Sequence, residues 1–498
     1  MRKPSLIRQT AVRLGAITLT KSIGLLGRVV LTRMIGAEGI GLFQMAYAYF
    51  GFVLMLVTNG FPTALAIYTA GKKKMAWRWF IRLSLWILSG GIIAFILTLI
   101  FAEQISHVLG NTNSYYFLRA LAPALVIVPL LALFRGYLQG LEKYEAIAFS
   151  EIAEQFVRVT VMLALCIFLL PQGAMFAGGL SMLGTSLGGI TAFLILLVFY
   201  TRNTASSTYK EILPVPSKGE MSWFVRSSIA ICLTRLLIPL SDMADALIIP
   251  ARLQQAGYSS NEATVMFGVL TGMALLIAYM PTLATAALSH TMTMKLVSAW
   301  KEQQYILFQN LSLKAVRFAW SWGIVSTLFL SVYAEELAFF LFHSTEAGRL
   351  IKSLSLIPFI VGVREITTSI LWAKEQKKIT FVATAIGIFF AICCHYFLIP
   401  LPYMQLYGAV IGTLLMELIV LGANVWALGS LLCRMRIGKM IASALLFISV
   451  GIPLGYVIRA CSLNLYPGTL GGLLGMLIYG GALLLIHVWM NQRTSTSA

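Results

Sequence analysis

The 498-residue chain is 59% hydrophobic and 11% charged, with a mean hydropathy of +0.86, a balance that fits a lipid-solvated protein and not a soluble domain. Its longest polar stretch, 201–221, is too short to fold alone, which excludes a soluble catalytic domain within these residues. The net charge of +19 then points to membrane topology and anionic lipid, and no nucleic-acid partner is expected.

A transmembrane helix needs about 20 apolar residues, because about 1.5 Å of rise per residue must cross about 30 Å of hydrocarbon. Apolar runs broken by turn residues and charges place spans near 11–36, 43–70, 79–101, 115–140, 147–170 and 174–200. A second set follows near 222–249, 263–289, 313–333, 348–372, 379–400 and 404–430, and then 439–460 and 467–490. Arg2, Lys3, Arg8 and Arg13 precede the first run, and Lys21 and Arg28 interrupt it, so it reads as a retained helix and not as a signal peptide. The expected fold is all-α and integral to the membrane, with about 14 transmembrane helices. It comprises an N-terminal lobe (1–205), a C-terminal lobe (206–432) and a C-terminal helix pair (433–498).

Lys and Arg collect on alternate connections: Lys72, Lys73, Lys74, Arg78 and Arg82; Arg202, Lys210 and Lys218; Lys295, Lys301, Lys314 and Arg317; Lys374, Lys377 and Lys378; Arg434, Arg436 and Lys439. The intervening connections hold few, with Arg252, Arg349, Lys352 and Arg459 as exceptions. By the positive-inside rule both termini lie in the cytoplasm.

A weak echo relates the lobes. Pro62-Thr63 recurs as Pro281-Thr282, and Pro129 with Arg135 six residues on recurs as Pro358 with Arg364. An even number of spans per repeat gives both lobes one orientation, and a parallel pseudo-repeat of this kind is the trace of a duplicated transporter with a cavity between lobes.

Ionisable groups inside spans cost several kcal/mol unless they face protein or water, so they are candidates for function. Lys21 and Arg28 are seven residues apart and share one helical face, with Arg33 nearer the outer end. Arg119 sits in span four; Arg235, Asp242 and Asp245 sit in span seven, with Pro239 expected to break the backbone ladder there. Cations on the first helix of each lobe suit an anionic ligand, and Arg suits phosphate through its fork of donors. For Arg33, Arg119 and Arg235, snorkelling to an interface stands as the alternative. Asp242 and Asp245 have two readings: binding of a coupling proton or Na⁺, or a structural role as a local partner for Arg235 or a polar patch at the lobe interface. Glu154 and Arg158, four apart, suit a helical pair with two readings, a structural ion pair or substrate contact, and Glu417 is a lone carboxylate with no assignable partner.

The six cysteines lack CxxC or Cys/His spacing and the five histidines are scattered, so no metal or other cofactor is expected. No phosphate loop or nucleophile elbow occurs, and an enzyme is not expected.

The stretch Phe134-Arg135-Gly136-Tyr137-Leu138-Gln139-Gly140, followed by Glu154-Gln155-Phe156-Val157-Arg158, resembles the RGYxQG and EQxxR signature of the stage V sporulation protein B family. Those are polysaccharide-biosynthesis members of the multidrug/oligosaccharidyl-lipid/polysaccharide exporter (MATE-like) superfamily. Residues 33–42, 249–253 and 268–273 agree with it. The resemblance implies a fourteen-helix flippase of the bacterial cytoplasmic membrane. Its substrate would be an undecaprenyl-pyrophosphate-linked saccharide, in the narrower form a peptidoglycan precursor for spore cortex. Of the cavity cations in the related lipid II flippases, only Lys21 and Arg28 carry over; span two has no counterpart. Implied partners are the lipid-linked anionic saccharide, membrane lipids and cell-wall synthesis enzymes, and a monomer is expected. A cation-coupled multidrug exporter and a nontransporting scaffold for cell-wall synthesis are the competing functions.

The charge alternation is testable by cysteine mapping in a cysteine-free background. A cysteine placed at 377 should be shielded from an impermeant reagent added outside intact cells, and external labelling there would overturn the topology.

Overall fold

The computed structural model describes residues 6–204, 218–432, 437–465 and 468–496, and every regular element among them is helical. The chain divides into two compact units, Met1–Gln254 with Tyr258–Gly268, and Gln255–Gly257 with Val269–Ala498. The first unit runs through α1 (Leu6–Thr58), α2 (Phe61–Gly71), α3 (Lys73–Ile100), α4 (Ala102–Val108), α5 (Ser114–Leu121), α6 (Ala124–Gly140) and α7 (Tyr144–Leu169). It continues with α8 (Ala174–Ser181), α9 (Leu183–Thr204), α10 (Lys218–Gln255) and α11 (Ser260–Phe267). A π-helical turn, Gly268–Ala274, leads to α12 (Leu275–Tyr279), α13 (Thr282–Lys301), α14 (Tyr305–Phe342), α15 (Thr345–Ser353) and α16 (Ile357–Ala373). Then come α17 (Lys377–Leu398), α18 (Leu406–Ala427), α19 (Gly429–Leu432), α20 (Ile437–Leu465) and α21 (Thr469–Thr496).

Among the described residues, eleven helical stretches are long and apolar enough to cross a membrane, and thirteen when two bent pairs are counted as one span each. Gly36 divides the longest, Thr18–Gly71, and brings the number to about the fourteen expected. The bent pairs fall on spans four and ten: α5 meets α6 at 42° and α15 meets α16 at 48°. The proline echo also has a structural counterpart. Pro62 lies in the first turn of α2 and Pro281 caps the start of α13, each just after a helix break.

Gly36 has φ 72° and ψ −173°, a conformation closed to residues with a Cβ. The chain doubles back there. The Arg28 guanidinium carbon lies 5.6 Å from the Phe43 ring centre, whereas fifteen residues of straight helix would separate them by about 22 Å. α1 also packs closely on α7: a Cβ on Gly27 would come within 2.6 Å of Val159.

The compact units do not divide at 205/206, because α10 is anchored to the first unit at both ends. Near its start Phe224 is fully buried, its ring 4.2 Å from Trp79 and 5.0 Å from Tyr68. Glu220 pairs with Lys72 at 2.8 Å and accepts a hydrogen bond from the Tyr68 hydroxyl at 3.1 Å. At the far end Gln254 donates to the Gly110 carbonyl at 3.2 Å. The expected lobes concern internal symmetry; the observed units reflect which surfaces are buried together. α10 is moreover continuous through Pro239 and Pro250, so Pro239 does not end it.

In the second unit the C-terminal pair α20 and α21 packs on α14. Tyr333 and Tyr479 are buried with ring centres 5.6 Å apart, and the Tyr479 hydroxyl donates to the Gly451 carbonyl at 2.8 Å. Arg459, an exception to the charge alternation, pairs with Glu335 at 3.1 Å and with Glu336.

No atom lies within 4 Å of where a Cβ would stand on Gly36 or Gly51, so space limits neither position. Gly36→Ala should nevertheless destabilise by about 1–3 kcal/mol through its backbone conformation, while Gly51→Ala, inside a helix, should be neutral or stabilise by up to about 1 kcal/mol. Thermal unfolding in detergent measures both, and equal effects would refute the hinge.

Candidate functional site

All seven candidate residues lie in the first unit, on α1, α5 and α10. Lys21 and Arg33 are exposed and Arg28 is half-buried. Arg119 is exposed, donates to the Tyr115 hydroxyl and lies 5.1 Å from its ring centre, so the tyrosine one turn back supports it. Arg235 and Asp242 are both exposed on α10, two turns apart, while Asp245 is half-buried and within electrostatic reach of Asp242.

Arg28 meets two aromatic residues that no spacing rule singled out, and Arg158, which helical spacing and the EQxxR motif had marked. Its guanidinium lies over Phe43, which stacks on Tyr47 with ring centres 5.2 Å apart and planes within 4°. Tyr47 and Arg158 are both within electrostatic reach of Arg28. Arg158 donates to the Tyr47 hydroxyl at 3.4 Å and to the Gln155 side-chain carbonyl. An aromatic wall on the second arm of α1 therefore carries one cation from the first arm and one from α7.

The expected pairing of Glu154 with Arg158 does not occur. Glu154 pairs instead with Arg135 of α6 at 2.8 Å, and Arg135 also donates to the Ser150 hydroxyl from Nε at 3.2 Å and Nη2 at 3.1 Å. A guanidinium from another helix that reaches two successive turns of α7 outcompetes the i, i+4 neighbour. Gln155-Phe156-Val157-Arg158 was visible as a motif; that Arg158 has no carboxylate partner among the described residues was not.

The second unit resolves the other misplaced charge. Glu417 has a partner: Arg364 at 2.5 Å, with the Tyr279 hydroxyl donating to its other oxygen at 2.9 Å. Nearby, Asn424 donates to Thr368 at 2.9 Å and Thr367 at 3.2 Å, and Thr285 donates to Glu365 at 2.8 Å. Arg135 and Arg364 occupy corresponding helices and each pairs with a carboxylate. Arg135 lies five residues before the end of α6 and Arg364 nine before the end of α16. Their carboxylates come from different helices, α7 in the first case and α18 in the second.

The family described as polysaccharide biosynthesis protein matches over residues 6–260. The chain belongs to that family. The matched residues nearly coincide with the first compact unit and contain every candidate residue. Stage V sporulation protein B of Bacillus subtilis (strain 168) is 26% identical over 371 residues, covering 72% of this chain and 71% of that protein. Lipid II flippase MurJ of the same strain is 22% identical over 449 residues, covering 82% of this chain and 80% of that one. A solved structure of lipid II flippase MurJ in its inward closed conformation shares the fold, with a TM-score of 0.70 at 14% identity over 97% of this chain and 98% of that one.

Removing one partner of a buried ion pair costs about 3–5 kcal/mol, while apolar replacement of both is often near neutral. Glu417→Ala should therefore lower the unfolding midpoint sharply, and Arg364→Met with Glu417→Leu should recover most of it. A double variant as unstable as the single one would show that the pairing is not what matters.

Proposed function

We propose that this protein moves an undecaprenyl-pyrophosphate-linked saccharide across the bacterial cytoplasmic membrane by alternating access, and that a peptidoglycan precursor for spore cortex is the narrower form of the substrate. The carrying observation is Arg28: a half-buried guanidinium inside a membrane span, held over Phe43 with Arg158 nearby, and with no carboxylate partner among the described residues. A charge there is costly unless a ligand or water meets it, and a guanidinium fork matches phosphate oxygens. The names of the two relatives, one a lipid II flippase and one a sporulation protein, support the same reading.

On this reading Arg28 and Lys21 neutralise the pyrophosphate, Arg33, Arg119 and Arg235 add to the basic surface, and the polyprenyl tail stays in lipid. No bond is broken. Binding shifts the population between inward- and outward-open states. Asp242 and Asp245, neighbours on α10, are the place where a proton or Na⁺ would couple to that shift. The protein acts as a monomer with both termini in the cytoplasm. Export of cationic drugs is disfavoured by the same arginine, which would repel them.

A hydrogen bond to an ionised group contributes about 1.5–3 kcal/mol, so Arg28→Ala should weaken headgroup binding roughly tenfold or more, and Arg28→Lys should recover only part of it because the bidentate fork is lost. The functional test is complementation of flipping with membrane levels measured in parallel. Wild-type transport by a correctly inserted Lys21→Ala, Arg28→Ala variant would end the headgroup reading.

A further inference from the structure

Arg28, Arg135, Arg158 and Glu154 lie on α1, α6 and α7, which pack together. Arg135 and Glu154 cancel each other in the 2.8 Å pair, which leaves Arg28 and Arg158 within electrostatic reach of each other and, among the described residues, without a carboxylate partner. The groups that touch Arg158, the Tyr47 hydroxyl and the Gln155 side-chain carbonyl, are neutral dipoles that aim the guanidinium without removing its charge. Glu154 is four residues before Arg158, the spacing at which an acid and a base on one helix ordinarily close, yet it is turned to Arg135. Glu151, the next acid on α7, is two turns from Arg158.

We infer that Arg158 is the second cation of the anion site around Arg28, and that Arg135 is a positioning residue that keeps Arg158 available by holding Glu154 away from it. This deepens the proposed function and rests on it. The ligand class is a phosphate or pyrophosphate oxyanion. Like charges in a low-dielectric setting repel unless something negative lies between them, and the stacked Phe43–Tyr47 wall places one guanidinium over its first ring and the other at the hydroxyl of its second. A headgroup with two phosphoryl groups offers each guanidinium its own oxygens. Arg135 does not itself touch the ligand: Ser150 and Glu154 occupy its donors.

The test uses the full chain in nanodiscs, with a polyprenyl pyrophosphate lipid and inorganic pyrophosphate as separate probes, equilibrium binding as readout and thermal melts to confirm folding. Arg158→Gln should weaken lipid binding about tenfold or more, as expected for loss of a charge-assisted hydrogen bond. Arg135→Gln should weaken it by a similar factor, because Glu154 is released onto Arg158. The double variant Arg135→Gln, Glu154→Gln should return to within about threefold of wild type, and Arg135→Gln should lose binding without a matching fall in melting temperature, whereas a merely structural ion pair would lose and recover binding and melting temperature together. Unchanged binding in Arg158→Gln, or a double variant as weak as Arg135→Gln alone, overturns the inference and leaves the flippase reading standing. Arg158-dependent binding of inorganic pyrophosphate with none of the lipid supports the anion site and removes the flippase reading. Wild-type protein that binds neither probe removes both.

Discussion

Hydrocarbon cannot solvate a charge, so every ionised group that this chain carries into its spans must find an opposite charge, a dipole, water or a ligand. Most of its tertiary structure follows from how that requirement is met. Arg135 is satisfied by Glu154 and Ser150 and ties α6 to α7; Arg364 is satisfied by Glu417 and ties α16 to α18; Arg459 is satisfied by Glu335 and Glu336 and ties α20 to α14. Each pair crosses from one helix to another, so a neutralised charge is also a fastening between helices that apolar packing alone would hold less specifically. Whether such pairs add net stability is a separate matter, since desolvation offsets most of the Coulomb gain.

Against that background the unneutralised cations stand out. Arg28 reaches its surroundings only because Gly36 lets α1 fold back on itself, so that Phe43 and Tyr47 return beside the arm that carries the arginine. Close approach of α1 to α7 at Gly27 then brings Arg158 within reach. Backbone conformation, a missing Cβ and an aromatic pair thus convert two arginines distant in sequence into one basic site. The family match ends near the close of this same unit, which fits a functional centre assembled within it.

The two units treat corresponding arginines differently. In the first, the carboxylate that pairs with Arg135 is one that would otherwise neutralise Arg158; in the second, Glu417 pairs with Arg364 and is bridged to Tyr279. A duplicated architecture can therefore keep its cations while drawing their acid partners from different helices.

The sequence by itself determined the class of fold, the approximate spans and the unusual charges, because these depend on local properties: apolar run length, turn residues and helical spacing. The recurring prolines were legible as an echo between the lobes but the bends and breaks themselves were not: the helix breaks fall just before Pro62 and Pro281, while span four bends ahead of α6 and Pro129 lies inside that helix. Only the tertiary structure decided the partners. Glu154 had a good local candidate in Arg158 and Glu417 had none, yet both are held by arginines on other helices. Pattern placed α10 at the head of the second lobe, whereas Phe224 and Glu220 commit it to the first compact unit through contacts with Tyr68, Trp79 and Lys72, about 150 residues earlier. Helical periodicity says which residues share a face; which helix that face meets is set by the packing of the whole unit, where competing partners are weighed against one another in space.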